Sequence, residues 1–342
     1  MRVAQVMAGA PAGGAELFFE RLCAALARAG DGVLPVIRRN QERAARLRAA
    51  GLAPVQLAFG SGLDLISPRR LAASLQRFAP GSVVAWMSRA ARIAPKGRWA
   101  LIGRLGGYYD LRNFGNCEHL AANTHGLVDW IVRQGWPAAR VHYLPNFVPD
   151  LASAEPVGRV ELGVPEGAPL LLGLGRLHRN KAFDILIRAL ALLPEAFAVI
   201  AGEGPERPAL EALARELGVS ARLRLPGWRQ DGAALLAGCD VLVCPSRQEP
   251  LGNVVLEAWS ARRPVVAAAA EGPAELIRPG ETGLLAPVED AAALARAVAS
   301  LLADRRASAR LAEAGRAAYE RDFAEAPVLA QWRGFLASVE RR

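Results

Sequence analysis

The stretch Leu170-Leu171-Leu172-Gly173-Leu174-Gly175-Arg176-Leu177-His178-Arg179-Asn180-Lys181, running on into Ala182–Leu193, reads as a buried strand, a glycine-containing loop and a helix. Outward from it the same alternation repeats. Towards the C-terminus, strands are expected at 198–201, 223–225, 241–244 and 264–268, with helices at 208–217, 232–237, 253–261 and 291–302. Towards the N-terminus, strands are expected at 2–7, 33–37, 55–57, 82–86, 99–105, 119–123 and 141–144, with helices at 15–29, 41–50, 68–78 and 126–134. Strand and helix in alternation define parallel sheets covered by helices on both faces. Residues 145–158 carry Pro145, Pro149 and Pro156 and read as a linker. From Ser308 to Arg342 the chain reads as helix with no strand. The expectation is an α/β chain of two doubly wound domains, followed by a helical tail.

Ligands of open α/β sheets bind beyond the C-terminal ends of the strands, so the loops there carry the chemistry. In the loop after Leu174, Arg176 and Lys181 bracket the turn. They could converge on one diphosphate, Arg as a fork and Lys as a point charge. They read equally as two solvated surface cations. After the strand at 241–244 comes Glu249-Pro250-Leu251-Gly252-Asn253-Val254-Val255-Leu256-Glu257. Pro250 opposes one continuous helix, and a start near Gly252 or Asn253 is expected, because Asn is a strong N-cap. Glu257 then lies one turn in, on the face of Asn253, and Glu249 lies on the preceding loop. Free helix N–H groups beside two carboxylates suit the phosphates and hydroxyls of a phosphorylated sugar. An amphipathic helix with solvated glutamates fits the same spacing.

Gly13-Gly14 follows the first strand and opens the first helix, where glycine lets backbone N–H groups approach an anion. An ordinary glycine turn fits as well. The spacing is not G-x-G-x-x-G, and Arg38 and Arg39 rather than an acid follow the second strand, which disfavours a dinucleotide-binding dehydrogenase. There is no G-K-[ST], no D-x-D, no G-x-S-x-G and no His/Asp/Glu cluster with metal spacing. The expectation is therefore no metal: Arg176, Lys181 and helix N-termini neutralise a bound diphosphate. His125 opens a helix and reads as a structural or capping residue rather than a base.

The chain has 342 residues, 52% hydrophobic and 22% charged, enough for two packed cores. Its four cysteines form no C-x-x-C pair and sit in apolar stretches, as buried thiols in a reducing compartment do. No run of 18 apolar residues occurs, and the N-terminal apolar run, broken by Gln5, Gly9 and Pro11, makes a poor signal peptide. A cytoplasmic protein is expected. Residues 1–150 hold 19 Lys and Arg against 9 Asp and Glu, whereas residues 151–342 hold 23 against 24. A basic first half suits nucleic acid, anionic lipid or a phosphorylated acceptor. The arginine run Arg38-Arg39, Arg43, Arg46, Arg48 has no interleaved aromatics, which argues against nucleic acid.

An ordered series of motifs now stands out. It comprises Gly175-Arg176-Leu177 with Lys181, Ala201-Gly202-Glu203-Gly204-Pro205, Gly227-Trp228, Cys239-Asp240 into Pro245-Ser246-Arg247, Glu249…Glu257, Gly272-Pro273 with Glu275-Leu276-Ile277, and Gly280…Gly283. Over about residues 168–320 it resembles the C-terminal domain of the retaining, GT-B-fold glycosyltransferases of family 4. Gly13-Gly14-Ala15-Glu16 extends the likeness into the first half. Arg104-Leu105-Gly106-Gly107-Tyr108-Tyr109 with Pro145-Asn146-Phe147 resembles a bacterial subgroup linked to surface polysaccharide or lipopolysaccharide assembly.

The resemblance implies two Rossmann-like domains facing each other across a cleft. Residues 1–150 would be the acceptor side, residues 151–320 the nucleotide-sugar side, and residues 321–342 a C-terminal helix returning to the first domain. It implies a UDP- or GDP-linked sugar donor, a saccharide or lipid-linked acceptor, and transfer with retention by same-face attack, with no protein nucleophile. Arg176 and Lys181 would hold the diphosphate, with Gly13 and Gly14 closing over it. Glu257 would accept from the ribose, and Glu249 would lie nearest the chemistry, accepting from the donor sugar and stabilising positive charge at its anomeric carbon. Leu251, Gly252 and Asn253 would contact sugar or phosphate, and Trp228 would sit near the base.

One departure stands out. Many family members carry a His after a mid-sheet strand of the first domain, where this chain has Arg104–Tyr108. Arg104, Tyr108 and Asp110 are therefore expected only as acceptor or sugar contacts. The missing His keeps a non-catalytic sugar- or polyanion-binding descendant in view, besides an epimerase on the same fold. Peripheral contact of the basic half with the inner face of the cell membrane is the remaining expectation.

Overall fold

The computed structural model describes residues 1–10, 13–60, 64 and 66–341. The chain divides into two compact units, Met1–Phe147 with Glu325–Arg342, and Val148–Ala324. The division falls inside the expected linker. The helical tail is shared between the units and does not form a separate segment.

Unit one begins with β1 (Arg2–Met7), α1 (Gly14–Arg28), β2 (Gly32–Arg38), α2 (Gln41–Ala49), β3 (Val55–Leu57) and α3 (Ile66–Phe78). It continues with β4 (Ser82–Trp86), α4 (Met87–Ile93), β5 (Ala100–Leu105), β6 (His119–Ala122), α5 (His125–Arg133) and β7 (Val141–Tyr143). Unit two comprises β8 (Leu170–Leu174), α6 (Phe183–Ala191), β9 (Phe197–Ala201), α7 (Arg207–Glu216), β10 (Leu223–Arg224), α8 (Gly232–Gly238) and β11 (Val241–Cys244). Then come α9 (Asn253–Ser260), β12 (Val265–Ala268), α10 (Glu271–Leu276), β13 (Leu284–Ala286), α11 (Ala291–Ala303) and α12 (Arg305–Asp322). The final helix, α13 (Glu325–Val339), belongs to unit one.

The strand orders are β3-β2-β1-β4-β5-β6-β7 and β10-β9-β8-β11-β12-β13, and every pairing is parallel. In both sheets the first strand lies inside. The chain runs outward to one edge and then returns to build the other side. The loops after β1 and β4, and after β8 and β11, therefore diverge and leave a crevice, the topological switch point of a doubly wound sheet.

Alternation along each strand feeds two cores. On β8, Leu171 faces α6 and α11, while Leu170 and Leu172 face α9 and α12. On β5, Leu101 and Leu105 face one side, and Ile102 faces α1 and α13. Helix α13 earns its place in unit one through Trp332, which is fully buried. Its ring stacks on Trp86 with centroids 6.4 Å apart, and its Nε1 donates to Pro145 O at 3.3 Å. Burying such a side chain contributes about 1.5–3 kcal/mol. Helix α12 packs instead on α9, where Gly315 is needed: a Cβ there would lie 2.3 Å from the Trp259 ring.

Three elements escape the sequence pattern. Helix α4 turns directly out of β4 at Met87, which holds a φ of 61°. Strand β13 and helix α10 are too short to show periodicity. Helix α3 starts at Ile66 rather than at Pro68.

Candidate active site

The site is assembled at the switch point of unit two. Strand β8 delivers the chain to Gly175, whose φ of 144° turns it out of the sheet. The turn is packed backbone against backbone. A Cβ at Gly202 would lie 1.8 Å from Gly175 O, and Leu177 N donates to Glu203 O at 2.9 Å. A short turn at Arg179–Lys181 follows, and Ala182, with a φ of 51°, starts α6. Strand β11 delivers the partner loop, Pro245 to Gly252.

Asn180 joins the two loops. Its carbonyl accepts from Arg247 N at 2.8 Å and Gln248 N at 3.3 Å, and its Nδ2 donates to Gln248 Oε1 at 3.0 Å. Beside this seam the Lys181 ammonium pairs with Glu249 Oε2, and Ser246 Oγ donates to the same oxygen at 3.1 Å. Glu249 is 9% exposed. Its backbone is fixed as well: its carbonyl accepts from Gly272 N at 2.8 Å, and its N–H donates to Glu271 Oε2 at 3.4 Å. Burial pulls the Lys181 pKa down, and the Glu249 carboxylate more than reverses this, so the net shift is upward. Burial pushes the neighbouring Cys244 thiol up to about 11, which keeps it protonated.

The structure arranges the expected residues differently from a pair of converging cations. Lys181 is engaged by Glu249. Arg176 is exposed and has no carboxylate partner among the described residues. Asn253 does not cap α9. Gly252 does, with a φ of 93° that a side-chain-bearing residue would adopt only under strain, and Asn253 is the first helical residue. Leu251 is buried, and Glu257 is half-buried one turn into α9. Trp228 follows Gly227 at the end of β10 and is 63% exposed, a large apolar surface left in water.

In unit one, Gly13 caps α1 and Gly14 begins it. The neighbouring Pro11 and Ala12 lie outside the described residues. Arg104, expected as an acceptor contact, is instead buried at 2% exposure. Its guanidinium lies 5.6–5.8 Å from the rings of Phe18, Trp86 and Trp332 and donates from Nη2 to Asn146 Oδ1 at 2.7 Å. Among the described residues its Nε has no hydrogen-bond partner, and burial pushes its pKa down to about 9. Asp110 is taken up locally, chelating Arg112 and accepting from Arg112 N at 3.0 Å. Tyr108 exposes its ring while meeting Trp130 edge-on at 5.3 Å. His125 stacks on Tyr143 at 3.8 Å, and Thr124 rather than His125 caps α5.

Sequence reasoning missed Asn180, which ties the two loops together, and Glu271, which accepts from Glu249 N. Nothing in their local pattern marks them.

Two Rossmann-like α/β halves, one with a basic loop closed against an acidic loop at its switch point, are the architecture of the GT-B fold. Residues 156–318 match the family model described as glycosyl transferases group 1. The chain is 36% identical over 311 residues to the lipopolysaccharide core biosynthesis glycosyltransferase LpsE of Rhizobium meliloti (strain 1021), covering 89% of each chain. It is 32% identical over 321 residues to LpsD of the same organism, covering 92% of each. The chain belongs to the group 1 glycosyl transferases. Among solved structures, Anabaena Alr3699/HepE in complex with UDP superposes with a TM-score of 0.86 at 23% identity, over 99% of this chain and 100% of that one. WaaG, a glycosyltransferase involved in lipopolysaccharide biosynthesis, superposes with a TM-score of 0.74 at 20% identity, over 98% and 99%.

Proposed function

We propose that this glycosyltransferase is retaining and metal-independent. It moves a hexosyl group from a UDP- or GDP-linked donor to a saccharide or lipid-linked acceptor in the synthesis of lipopolysaccharide or another cell-surface polysaccharide. The observation that carries this reading is the Lys181–Glu249 pair at the switch point of unit two. The relatives named for lipopolysaccharide core synthesis support the product class. The fold shared with a UDP complex and a UDP-glucose complex favours UDP.

In this reading Arg176 and Lys181 neutralise the diphosphate, aided by the first-turn N–H groups of α9 after Leu251 and Gly252. Glu257 accepts from the ribose hydroxyls, and Trp228 offers a face to the base. Glu249 accepts from the sugar hydroxyls and stabilises the positive charge that grows at the anomeric carbon. The bond from that carbon to the phosphate oxygen breaks, and the electron pair leaves with the nucleoside diphosphate. The acceptor oxygen bonds the same face, and its proton passes to the departing phosphate. Unit two is the donor side and unit one the acceptor side.

The test is a thermal-shift screen of UDP- and GDP-sugars followed by transfer assays. A ligand at 100 times its Kd stabilises by about 2.7 kcal/mol, raising Tm by several degrees. A screen in which no nucleotide sugar shifts Tm would sink the proposal.

Unit one carries 22 Lys and Arg against 10 Asp and Glu, and no described helix is long and apolar enough to cross a membrane. We place the protein in the cytoplasm, peripheral on the inner face of an anionic membrane. It should stay with membrane fractions at low salt and leave at high salt. Partition that ignores salt would argue against this placement.

A further inference from the structure

The Lys181–Glu249 pair has a second rung beneath it. Arg247 stands two residues before Glu249, and Asp184 three residues after Lys181. Arg247 Nη1 and Nη2 donate to Asp184 Oδ1 and Oδ2 at 2.9 and 2.6 Å, a bidentate fork. Nη1 also donates to Arg179 O at 2.9 Å, and Nε pairs with Glu289. Asp184 lies in the first turn of α6, where the helix dipole favours a carboxylate. The Arg247 side chain is 20% exposed, so the fork is largely sheltered from solvent. The loop after β8 is thus tied to the loop after β11 at Asp184–Arg247, at Asn180 and at Lys181–Glu249. Each loop is also anchored separately to its own strand neighbours: Gly175 N donates to Ala201 O at 3.1 Å, and Glu249 O accepts from Gly272 N at 2.8 Å.

We infer that Arg247, gripped by Asp184, is a positioning residue that sets the register of the phosphate-side loop against the sugar-side loop, and with it the placing of Lys181 opposite Glu249. The inference rests on the donor roles proposed above. Because each loop has its own anchor, loss of Arg247 leaves both loops folded but out of register. A nucleotide can still bind one side, while the sugar is no longer aligned to its phosphate. Misplacement of about 1 Å costs transfer on the order of 100-fold.

The experiment compares R247A, D184A and the double variant, with R247K as the variant that keeps a charge but cannot fork. The chain has only two lysines, Lys96 and Lys181, so ¹⁵N-lysine labelling resolves their ammonium groups without ligand. In the parent, Lys181 should exchange its ammonium protons much more slowly than exposed Lys96. In R247A and D184A it should exchange at a rate near that of Lys96, with R247K between. With UDP-glucose as the probe, kcat should fall ~10–100-fold in each single variant. The Kd for free UDP should stay within about threefold, since ligand-bearing groups remain on both loops. The double variant should be no worse than the worse single one, as partners in one interaction are not additive. Losses that multiply in the double variant would overturn the inference, and so would a UDP Kd that rises in step with the loss of kcat. An unchanged Lys181 signal would overturn it too. A parent protein that binds neither UDP nor UDP-glucose would count against the donor reading alone, because the lysine signals decide the register without ligand.

Discussion

The two sheets share one winding, and their switch points can be compared directly. In unit two the loops after β8 and β11 bring a cation and a carboxylate together, Lys181 on Glu249. In unit one the loop after β1 closes on the Glu16 carboxylate, with buried Arg43 donating from Nη2 to Ala10 O at 2.9 Å and pairing with Glu20. Glu16, 5% exposed, accepts from Ala10 N at 2.8 Å, and a Cβ on Gly9 would lie 2.3 Å from Glu16 Oε1 and 2.6 Å from Met87 Cε. A second buried cation lies one strand further out, as Arg104 beneath three aromatic rings. No carboxylate pairs with it among the described residues. The same topology thus serves two electrostatic designs. Unit two, with 20 Lys and Arg against 23 Asp and Glu, keeps the Lys181–Glu249 pair at its switch point. Unit one buries Arg104 with no carboxylate partner among the described residues, held by three aromatic rings and by the Leu105 and Asn146 oxygens.

The largest effect comes from breaking the pair of unit two. Glu249→Gln keeps the shape and removes the charge. Transfer should fall ~100–1,000-fold, the loss expected when a preorganised electrostatic contact to a developing charge is removed. Affinity for free UDP should hold or improve, since Lys181 is released for the diphosphate. Lys181→Ala should lower both. Steady-state kinetics beside calorimetry with UDP separates the cases, and equal losses of UDP affinity in the two variants would show that they share a single role. The pH dependence has a definite sign. Lys181 has a raised pKa in the folded protein, so the stability it adds is complete below about 10.5 and is lost as pH climbs through the folded value. Glu249→Gln should abolish that alkaline loss.

A smaller effect, of opposite sign, is expected in unit one. Arg104→Met replaces a buried, unpaired guanidinium by an apolar chain of similar length. At pH 7 it should stabilise the protein by about 1–4 kcal/mol, the range seen when buried charges give way to packed apolar groups. Burial lowers Arg104 to about 9, so the unfolded chain binds more protons above that pH and the native penalty shrinks. The gain from Arg104→Met should therefore diminish as pH rises from 9. Denaturant titrations at pH 7 and pH 10 measure both. A variant that is destabilised by several kcal/mol at pH 7 would show that the aromatic contacts and the Asn146 bond compensate the charge fully.

These contrasts explain what could be read in the sequence. The loop residues Arg176, Lys181 and Glu249, with Glu257 in the following helix, were legible as candidates because glycine, proline and charge punctuate the ends of clear apolar strands. That Lys181 would meet Glu249 was not legible. It follows from β8 and β11 becoming neighbours, a consequence of strand order that no local pattern carries. Arg104 read as a contact residue because its stretch falls where many family members carry a His. It is buried because α13 returns from the far end of the chain to lay Trp332 over it. The tail looked like one helical region because its break, at Phe323 and Ala324, carries neither glycine nor proline. The Gly252 cap was masked by Asn253, a stronger capping residue by type, because a left-handed φ favours glycine over any side chain.

The smallest effect sharpens the comparison most, because it sets a paired buried arginine against the unpaired one. Arg316, 8% exposed in unit two, forks to Asp150 at 2.6 and 2.7 Å and donates to Ser260 O at 2.7 Å. The hydrogen bonds it donates to Asp150 push its pKa up, the reverse of Arg104. Asp150 in turn is held down at about 2 by Arg316. A carboxylate lowered on folding adds stability that is complete above about 3.9 and is lost as pH falls through 2. Its side chain is 58% exposed, so solvent screens the pair and its worth is about 0.5–1 kcal/mol. Asp150→Asn should cost that much at pH 7 and almost nothing once the pH is well below about 2, flattening part of the acid limb of the stability curve. Combined with Arg104→Met, it should add without coupling, since the two arginines lie in different units and share no partner. Urea titrations of both single variants and the double at pH 7 decide this. A coupling above about 0.5 kcal/mol would mean that the two buried arginines are not independent.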